Sequence, residues 1–163
     1  MRRPRVKVSL TTIDWIVEII GAVLFILMIV YPWYYYDQLP TTIPTHFDAS
    51  GNPDDYSPKN ELWSSVIKGI VIYIGITILN FFPHLFNYLT TITKENAAKQ
   101  YRLATTLMRR IKVLMVICFF EIAYSTVQKV LFNKESSPSW FFAVYTIMLF
   151  AVIGDYFYRA FKK

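Results

Sequence analysis

The chain has 163 residues and a formal net charge of +6, and 55% of its residues are hydrophobic. Apolar runs of about 18 residues or more do not fit one small soluble domain, because about 20 apolar helical residues span a bilayer core. The basic residues lie at the ends of these runs and form no basic stripe with interleaved aromatics, which argues against nucleic-acid binding. The single cysteine, Cys118, offers neither a disulfide framework nor metal-ligand spacing.

A cationic segment at the start of the chain leads into the first apolar run, residues 16–36, in which Glu18 is the only charged residue. The run ends in an aromatic cluster, residues 31–36, of the kind that lies at the headgroup level. A signal peptide would have a shorter apolar core and end in small residues, so we predict an uncleaved transmembrane helix. Asp14 and Glu18 lie one turn apart at its basic end, where they can pair with arginine or lysine of the tail or of a later loop.

A proline-rich stretch follows, residues 39–59, with the sequence LPTTIPTHFDASGNPDDYSPK. It holds four of the chain's eight prolines and one of its two histidines. Such a density of proline and turn residues excludes a long helix or a central strand. We predict a short extended piece at 43–47 and a turn at 48–51, because Asp at the first position and Gly at the fourth suit a type I turn.

The second apolar run, residues 62–82, is broken only by Lys68 and stopped by Pro83. We interpret it as a second transmembrane helix, because its length and uniform apolarity match a bilayer core.

The third predicted span, residues 111–130, continues an amphipathic helix. Thr93 is predicted to cap that helix, which would open at Lys94. Apolar residues recur there with a 3.6-residue period, and no glycine or proline interrupts the chain before the span ends. If continuous, the helix has about 37 residues and is about 55 Å long, so that two or three turns project beyond the bilayer. A tight turn at 133–138 leads into the fourth span, 140–158.

The distribution of lysine and arginine predicts the orientation. Thirteen of the 17 cationic residues lie in the two termini, in the segment between the second and third spans, or at the start of the third span, where Lys112 lies. Only Lys59, Lys129 and Lys134 lie on the other side, while Lys68 lies within a span. By the positive-inside rule, both termini and residues 83–110 are cytoplasmic. We therefore predict an all-α membrane protein, a single domain with a four-transmembrane-helix bundle and an ordered outer loop at 37–61. It would lie in the bacterial cytoplasmic (inner) membrane.

Among the charged residues of the predicted spans, Lys68, Glu121 and Asp155 lie where charge is expensive, at about 2.5–3.5 kcal/mol near the bilayer centre. Lys68 and Glu121 lie at similar depths below the outer ends of their helices. They could form a pair that fixes helix register or line a path for an ion or proton, or Lys68 could extend to the outer interface. Asp155 is expected to meet cytoplasmic arginines, with Arg109 and Arg110 as candidates.

The outer loop also contains candidate ligands for a metal ion. His46 and Asp48 would point the same way in an extended chain, and two further carboxylates, Asp54 and Asp55, could fold beside them. An EF-hand is excluded, because Gly falls at the fourth position of the loop and Lys59 stands where a bidentate Glu is needed. The alternatives are internal hydrogen bonding, with Asp48 closing the turn and His46 bonding a carbonyl, or recognition of an external partner.

The loop and the segment after the second span together resemble a known family. The loop frame consists of Leu39, Pro40, Ile43, Pro44, His46, Phe47, Asp48, Gly51, Pro53, Asp54, Tyr56 and Lys59. It resembles the domain of unknown function found in many small bacterial membrane proteins and at the N-terminus of SdpI-type toxin-immunity proteins. The likeness covers about residues 39–112, and it implies a membrane location more than an activity.

We expect a non-enzymatic membrane protein whose outer loop binds a partner, peptide or envelope component, as an immunity-like protein or accessory subunit, without a cofactor. The sequence contains no nucleophile–base motif, no H-E-x-x-H and no phosphate-binding glycine loop. The alternatives are a small oligomeric transporter or channel that uses Lys68 and Glu121, and a metal-dependent enzyme or sensor that uses His46 and Asp48. The predicted binding residues are Pro44, His46, Phe47, Asp48, Gly51, Pro53, Asp54 and Lys59. A cytoplasmic motif comprises His84, Asn87, Glu95, Asn96, Tyr101 and Arg102.

Overall fold

A computed structural model describes residues 3–48, 52–134 and 139–162. The helices in these residues are α1 (Thr12–Tyr35), α2 (Leu62–Leu79), α3 (Ala97–Phe132) and α4 (Ser139–Phe161). Two strands, β1 (Thr42–Phe47) and β2 (Pro53–Pro58), lie between α1 and α2. Short 3-10 turns occupy Tyr36–Gln38, Lys59–Glu61 and Pro83–Leu85.

Three segments are long and apolar enough to cross a membrane: Thr12–Gln38, Lys59–Leu79 and Trp140–Phe161. The protein is therefore a mostly helical membrane protein, as the apolar runs predicted. The predicted third span lies inside α3, which is a single helix of 36 residues, close to the expected length. A crossing by α3 stays a prediction, because α3 is not one of the three segments identified by their apolar composition.

The helix α3 forms the centre of the molecule, because α1, α2 and α4 all pack against it. Side chains along its whole length are buried, from Tyr101 through Val116 to Val127. The outward faces of the other three helices carry exposed large apolar side chains, such as Ile19, Val71 and Phe150. A helix that is apolar all round fits lipid on one side and protein on the other.

The start of α1 is defined by a capping box. The Thr11 hydroxyl accepts a hydrogen bond from Asp14 N at 3.1 Å, and Asp14 Oδ2 accepts one from Thr11 N at 2.9 Å. This reciprocal pair satisfies backbone donors that the first helical turn leaves unpaired. The helix therefore begins at Thr12, four residues before the predicted apolar run.

The start of α3 differs from the prediction, in which Thr93 capped a helix opening at Lys94. Asn96 Nδ2 donates to Thr91 O at 2.9 Å, and Asn96 Oδ1 accepts from Thr93 N at 2.9 Å. The asparagine side chain thus closes a non-helical turn by competing for backbone hydrogen bonds. The helix begins only at Ala97.

The proline-rich segment forms a β-hairpin, which corrects the expectation of one extended piece and of an all-α fold. The antiparallel strands pair Thr42 with Pro58 and Ile43 with Ser57, and the register becomes irregular near His46. A two-stranded ribbon tolerates proline because each strand keeps one edge without a ladder partner. The predicted turn at 48–51 lies largely outside the described residues, which resume at Asn52.

The base of the hairpin is packed into the helices. Leu39 and Ile43 belong to one buried cluster with Leu62 and Val66 of α2 and with Ala123 and Val127 of α3. Ile43 retains only 1% of its surface exposed. Burying a side chain of this size stabilises the contact by about 1.5–3 kcal/mol, so the hairpin is fixed to α2 and α3.

At the opposite end of the molecule, the N-terminal tail lies across the segment that precedes α3. Val6 and Val8 pack on a cluster that contains Tyr88 and Tyr101, and Tyr101 Oη donates to Pro4 O at 2.9 Å. The last turn of α4 is held there too, because Gln100 Nε2 donates to Ala160 O at 3.1 Å. We call this the tail end of the molecule, and the other the hairpin end.

Candidate functional site

The tip of the hairpin is closed by Asp48. Its Oδ1 accepts a hydrogen bond from Asn52 N at 2.8 Å, and its own N donates to Asn52 O at 2.9 Å. Asp48 therefore has the turn-closing role that was one of its sequence-based interpretations, with Asn52 as the partner. Gly51, also a predicted site residue, lies outside the described part of the chain.

His46 contacts the carboxylate of Asp54, one of the two carboxylates that could fold beside it, and not a carbonyl as in the alternative interpretation. Its Nδ1 lies 2.5 Å from Asp54 Oδ1 on the opposite strand, and the two side chains are 68% and 47% exposed. The pair links the two strands across the irregular part of the ladder. Among the residues that the structure describes, no group of three or more His, Cys, Asp or Glu side chains is arranged to hold a metal ion.

Lys59 clamps the two ends of the hairpin together. Its Nζ donates to Tyr36 O at 3.2 Å and lies 4.7 Å from the centre of the Tyr36 ring. Its backbone N donates to Thr41 O at 3.0 Å. These contacts tie the residue after β2 to the residues before β1, so Lys59 supports the hairpin and does not extend from it. Two other predicted binding residues lie in β1. Pro44 is buried, and Phe47 is paired with Pro53 of β2 in the register of the two strands.

The exposed side of the hairpin is acidic. The exposed residues on this side include Asp48, which binds Asn52, and Asp54, which contacts His46. Asp55 and Glu61 are exposed as well, whereas Lys59, the one lysine in residues 39–61, is engaged at the base. Tyr56 adds an aromatic ring with 58% of its surface exposed. We call residues 46, 48, 54–56 and 61 the acidic hairpin surface. It contrasts with the net charge of +6 of the whole chain.

A cavity of about 260 Å³ lies below the hairpin, between its base and the helices α2 and α3. Ile43, Pro44, Phe119 and Ile122 form apolar parts of the wall, and Glu61 and Lys68 contribute opposite charges. Lys68 lines this cavity near the hairpin end of α2. Its predicted pairing with Glu121 stays a prediction.

A buried ionic cluster joins α1, α2 and α3 toward the tail end. Lys112 Nζ lies 2.7 Å from Glu18 Oε2 and donates to Thr77 Oγ1 at 3.0 Å. Arg109 Nε lies 3.2 Å from Glu18 Oε1, and Arg109 also approaches Asp14 Oδ1 at 3.7 Å. Two carboxylates thus face two cations, which offsets the desolvation of each charge.

Sequence reasoning found half of this cluster. The spacing of Asp14 and Glu18 indicated that they could pair with Arg or Lys of the tail or of a later loop, and their partners are Arg109 and Lys112 of α3. The sequence does contain a signal for these partners, because Arg109 and Lys112 are three residues apart and therefore lie on one face of α3.

Asp155 pairs with one of its two predicted arginines. Its Oδ2 accepts from Arg110 at 2.8 Å, and its Oδ1 accepts from Arg159 Nε, one turn along α4, at 2.7 Å. Arg109 faces α1 instead, because consecutive residues of a helix point about 100° apart.

The predicted tail-end motif is only partly assembled. Tyr101 packs on Tyr88, and burial raises the pKa of both phenols. His84 contributes its carbonyl, which accepts from Arg3 at 3.3 Å. Asn96 bonds Thr91 and Thr93, and Arg102 lines a cavity between α3 and α4. A hydrogen bond from the Thr93 side chain lowers the pKa of the exposed Glu95.

Three apolar helices, a central fourth helix and an ordered hairpin define a small helical membrane protein. Residues 23–67 match the family model of a domain of unknown function, DUF1648, so the match runs from α1 through the hairpin into α2. The chain is also 25% identical over 140 residues to an uncharacterized protein of Archaeoglobus fulgidus, an alignment that covers 80% of this chain and 76% of that protein. No solved structure matches the chain. The resemblance drawn from the hairpin residues is thereby confirmed, and this small membrane protein carries a DUF1648 match.

Proposed function

We propose that the protein is a non-enzymatic, multi-pass protein of the cytoplasmic membrane whose acidic hairpin surface binds a cationic peptide or protein segment outside the membrane. It would act as an immunity-like protein or as the accessory subunit of a membrane complex. The observation that carries the proposal is the hairpin itself. Its base is fixed in the core by Leu39 and Ile43, while its carboxylates and Tyr56 remain exposed.

The rigidity of the hairpin supports a binding role. The base is held by buried apolar contacts, the ends by Lys59, and the tip by Asp48 and Asn52. A surface ordered before binding loses little conformational entropy when a partner arrives. The four carboxylates favour a cationic partner, since complementary charge accelerates encounter and discriminates against anionic competitors.

A four-span topology with the hairpin outside follows from the distribution of cations, with α3 as the third crossing. We expect a membrane-impermeant maleimide to label Asp54→Cys and Lys134→Cys in intact cells, in a Cys118→Ala background. Glu95→Cys should react only after the membrane is permeabilised. Labelling of the Glu95→Cys variant in intact cells, with no labelling of Asp54→Cys, would show that the orientation is reversed.

The binding proposal is tested with a photo-crosslinking amino acid at position 56. In native membranes this residue should trap a defined protein or peptide with an excess of Lys and Arg, and the yield should fall as salt is raised. The double variant Asp54→Asn/Asp55→Asn should reduce the yield about three- to tenfold, since each exposed ion pair contributes about 0.2–1 kcal/mol.

The matched control is Glu95→Gln, which removes an exposed carboxylate at the tail end and should leave the crosslink unchanged. Recognition by charge would be contradicted if the crosslinked partner is acidic. It would also be contradicted if the crosslinking yield changes neither with salt nor in the double variant Asp54→Asn/Asp55→Asn. If position 56 traps nothing but lipid, the hairpin is not a protein-binding surface.

A further inference from the structure

A groove at the tail end separates α1 from α4, which both pack on α3. A cavity of about 230 Å³ opens in this groove, and its walls come from all three helices. Leu107 of α3 and Val152 of α4 form apolar parts of the wall, and Arg102, Arg110 and Arg159 form the cationic part. Apolar and cationic surfaces therefore meet in one cavity.

The arginines are held in place by Asp155. One oxygen of this carboxylate accepts from Arg110 at 2.8 Å and the other accepts from Arg159 Nε at 2.7 Å. Each guanidinium has five N–H donors in a fixed fork, so both retain donors beyond those used by Asp155. Because Asp155 orients them without contacting a ligand itself, it is a positioning residue.

The charge balance of the cavity favours an anion. Asp155 compensates one of its three guanidinium groups, and Arg102 adds an exposed cation on the α3 wall. The other carboxylate of the wall, Asp14, already faces Arg109 and the Thr106 hydroxyl. Two positive charges therefore remain to be balanced by something else.

The position of the cavity along the apolar segment of α4 indicates which class of anion it would bind. Arg159 lies two residues before the end of the apolar segment Trp140–Phe161, which is the level at which headgroups meet the hydrocarbon core. Val152 lies about one turn of α4 beyond Asp155 toward the membrane interior, while Leu107 lies between Arg102 and Arg110 on the α3 wall. We propose that this groove binds an anionic phospholipid of the leaflet at the tail end, with its phosphate on Arg102, Arg110 and Arg159. Basic pockets between transmembrane helices are suited to such headgroups.

The proposal is tested with the purified full chain in detergent, by native mass spectrometry at equal concentrations of phosphatidylglycerol and phosphatidylcholine. Both lipids offer an anionic phosphate, but the choline cation of phosphatidylcholine cancels its charge and is repelled by the remaining arginine charge. The protein should therefore retain phosphatidylglycerol at least about tenfold more, a difference of about 1.4 kcal/mol. Arg102→Gln/Arg159→Gln should remove most of that preference. Arg102→Lys/Arg159→Lys should keep part of it, since lysine retains the charge but not the fork.

The control, Arg5→Gln, removes an exposed cation of the N-terminal tail and should preserve the preference. Equal retention of both lipids, or a preference that survives the glutamine variant, overturns the proposal. In a second measurement, excess inorganic phosphate should fail to displace the lipid, because it lacks chains for the apolar wall. Displacement by inorganic phosphate would identify a free-phosphate site and refute a lipid site. Thermal unfolding of each variant in the same detergent establishes that it is folded.

Discussion

Lys112→Met should destabilise the folded protein by about 3–5 kcal/mol, which is the usual loss when one partner of a buried ion pair is removed. Lys112 is 0% exposed, and its Nζ lies 2.7 Å from Glu18, 3.0 Å from Thr77 Oγ1 and 4.6 Å from the centre of the Tyr73 ring. Without it, Asp14 and Glu18 share only Arg109 and leave one buried charge uncompensated. Thermal unfolding in mild detergent measures the loss.

Two further variants separate charge balance from packing. Lys94→Met removes an exposed lysine before α3 and should change the unfolding temperature little. Adding Glu18→Gln to Lys112→Met restores the balance between Asp14 and Arg109, so the double variant should be more stable than Lys112→Met alone. If Lys112→Met unfolds at the temperature of the unchanged protein, the cluster does not hold these helices together.

Gly69→Leu should disrupt the packing of α1, α2 and α3, with a loss of about 1–3 kcal/mol or more through overpacking. A Cβ atom at Gly69 would lie 2.5 Å from Met28 Sδ and 3.2 Å from Phe119 Cβ. The clashing atoms of Met28 are at the end of a flexible side chain and can shift within the core, but the Cβ of Phe119 moves only with α3 itself. We expect a lower unfolding temperature and a smaller monodisperse fraction after size-exclusion chromatography.

Gly75 on the same helix provides the matched control. A Cβ atom there would meet nothing within 4 Å, so Gly75→Leu should be close to neutral. Equal effects of the two substitutions would mean that leucine acts on α2 itself, through its interaction with lipid, and not on the contact with Met28.

The helical segments could be predicted from the sequence because their signals are local. Runs of about 20 apolar residues bound α1, α2 and α4 to within about four residues, and Pro83 follows α2 closely. The remaining errors come from side-chain caps. Thr11 and Asp14 start α1 early, and Asn96 delays α3, since each forms hydrogen bonds that hydropathy does not record.

The hairpin was predicted less completely. Its extended first strand follows from the pattern, but the pairing of Thr42–Phe47 with Pro53–Pro58 depends on where both ends are held. Lys59 and Ile43 provide that restraint through contacts with Tyr36, α2 and α3, which are distant in sequence. A proline-rich segment alone carries too weak a strand propensity to indicate this.

The sequence by itself determined that this is a membrane protein, that its helices are long, and that an ordered segment with His46 and Asp54 interrupts them. These features depend on composition and on the conformational limits of proline, which act within a few residues. Only the tertiary structure decided that Lys112 and Arg109 meet Glu18, that Arg110 and Arg159 share Asp155, and that Lys68 lines a cavity. Each charge had several partners within reach in the sequence, and the choice among them depends on the rotation of α3 against its three neighbours.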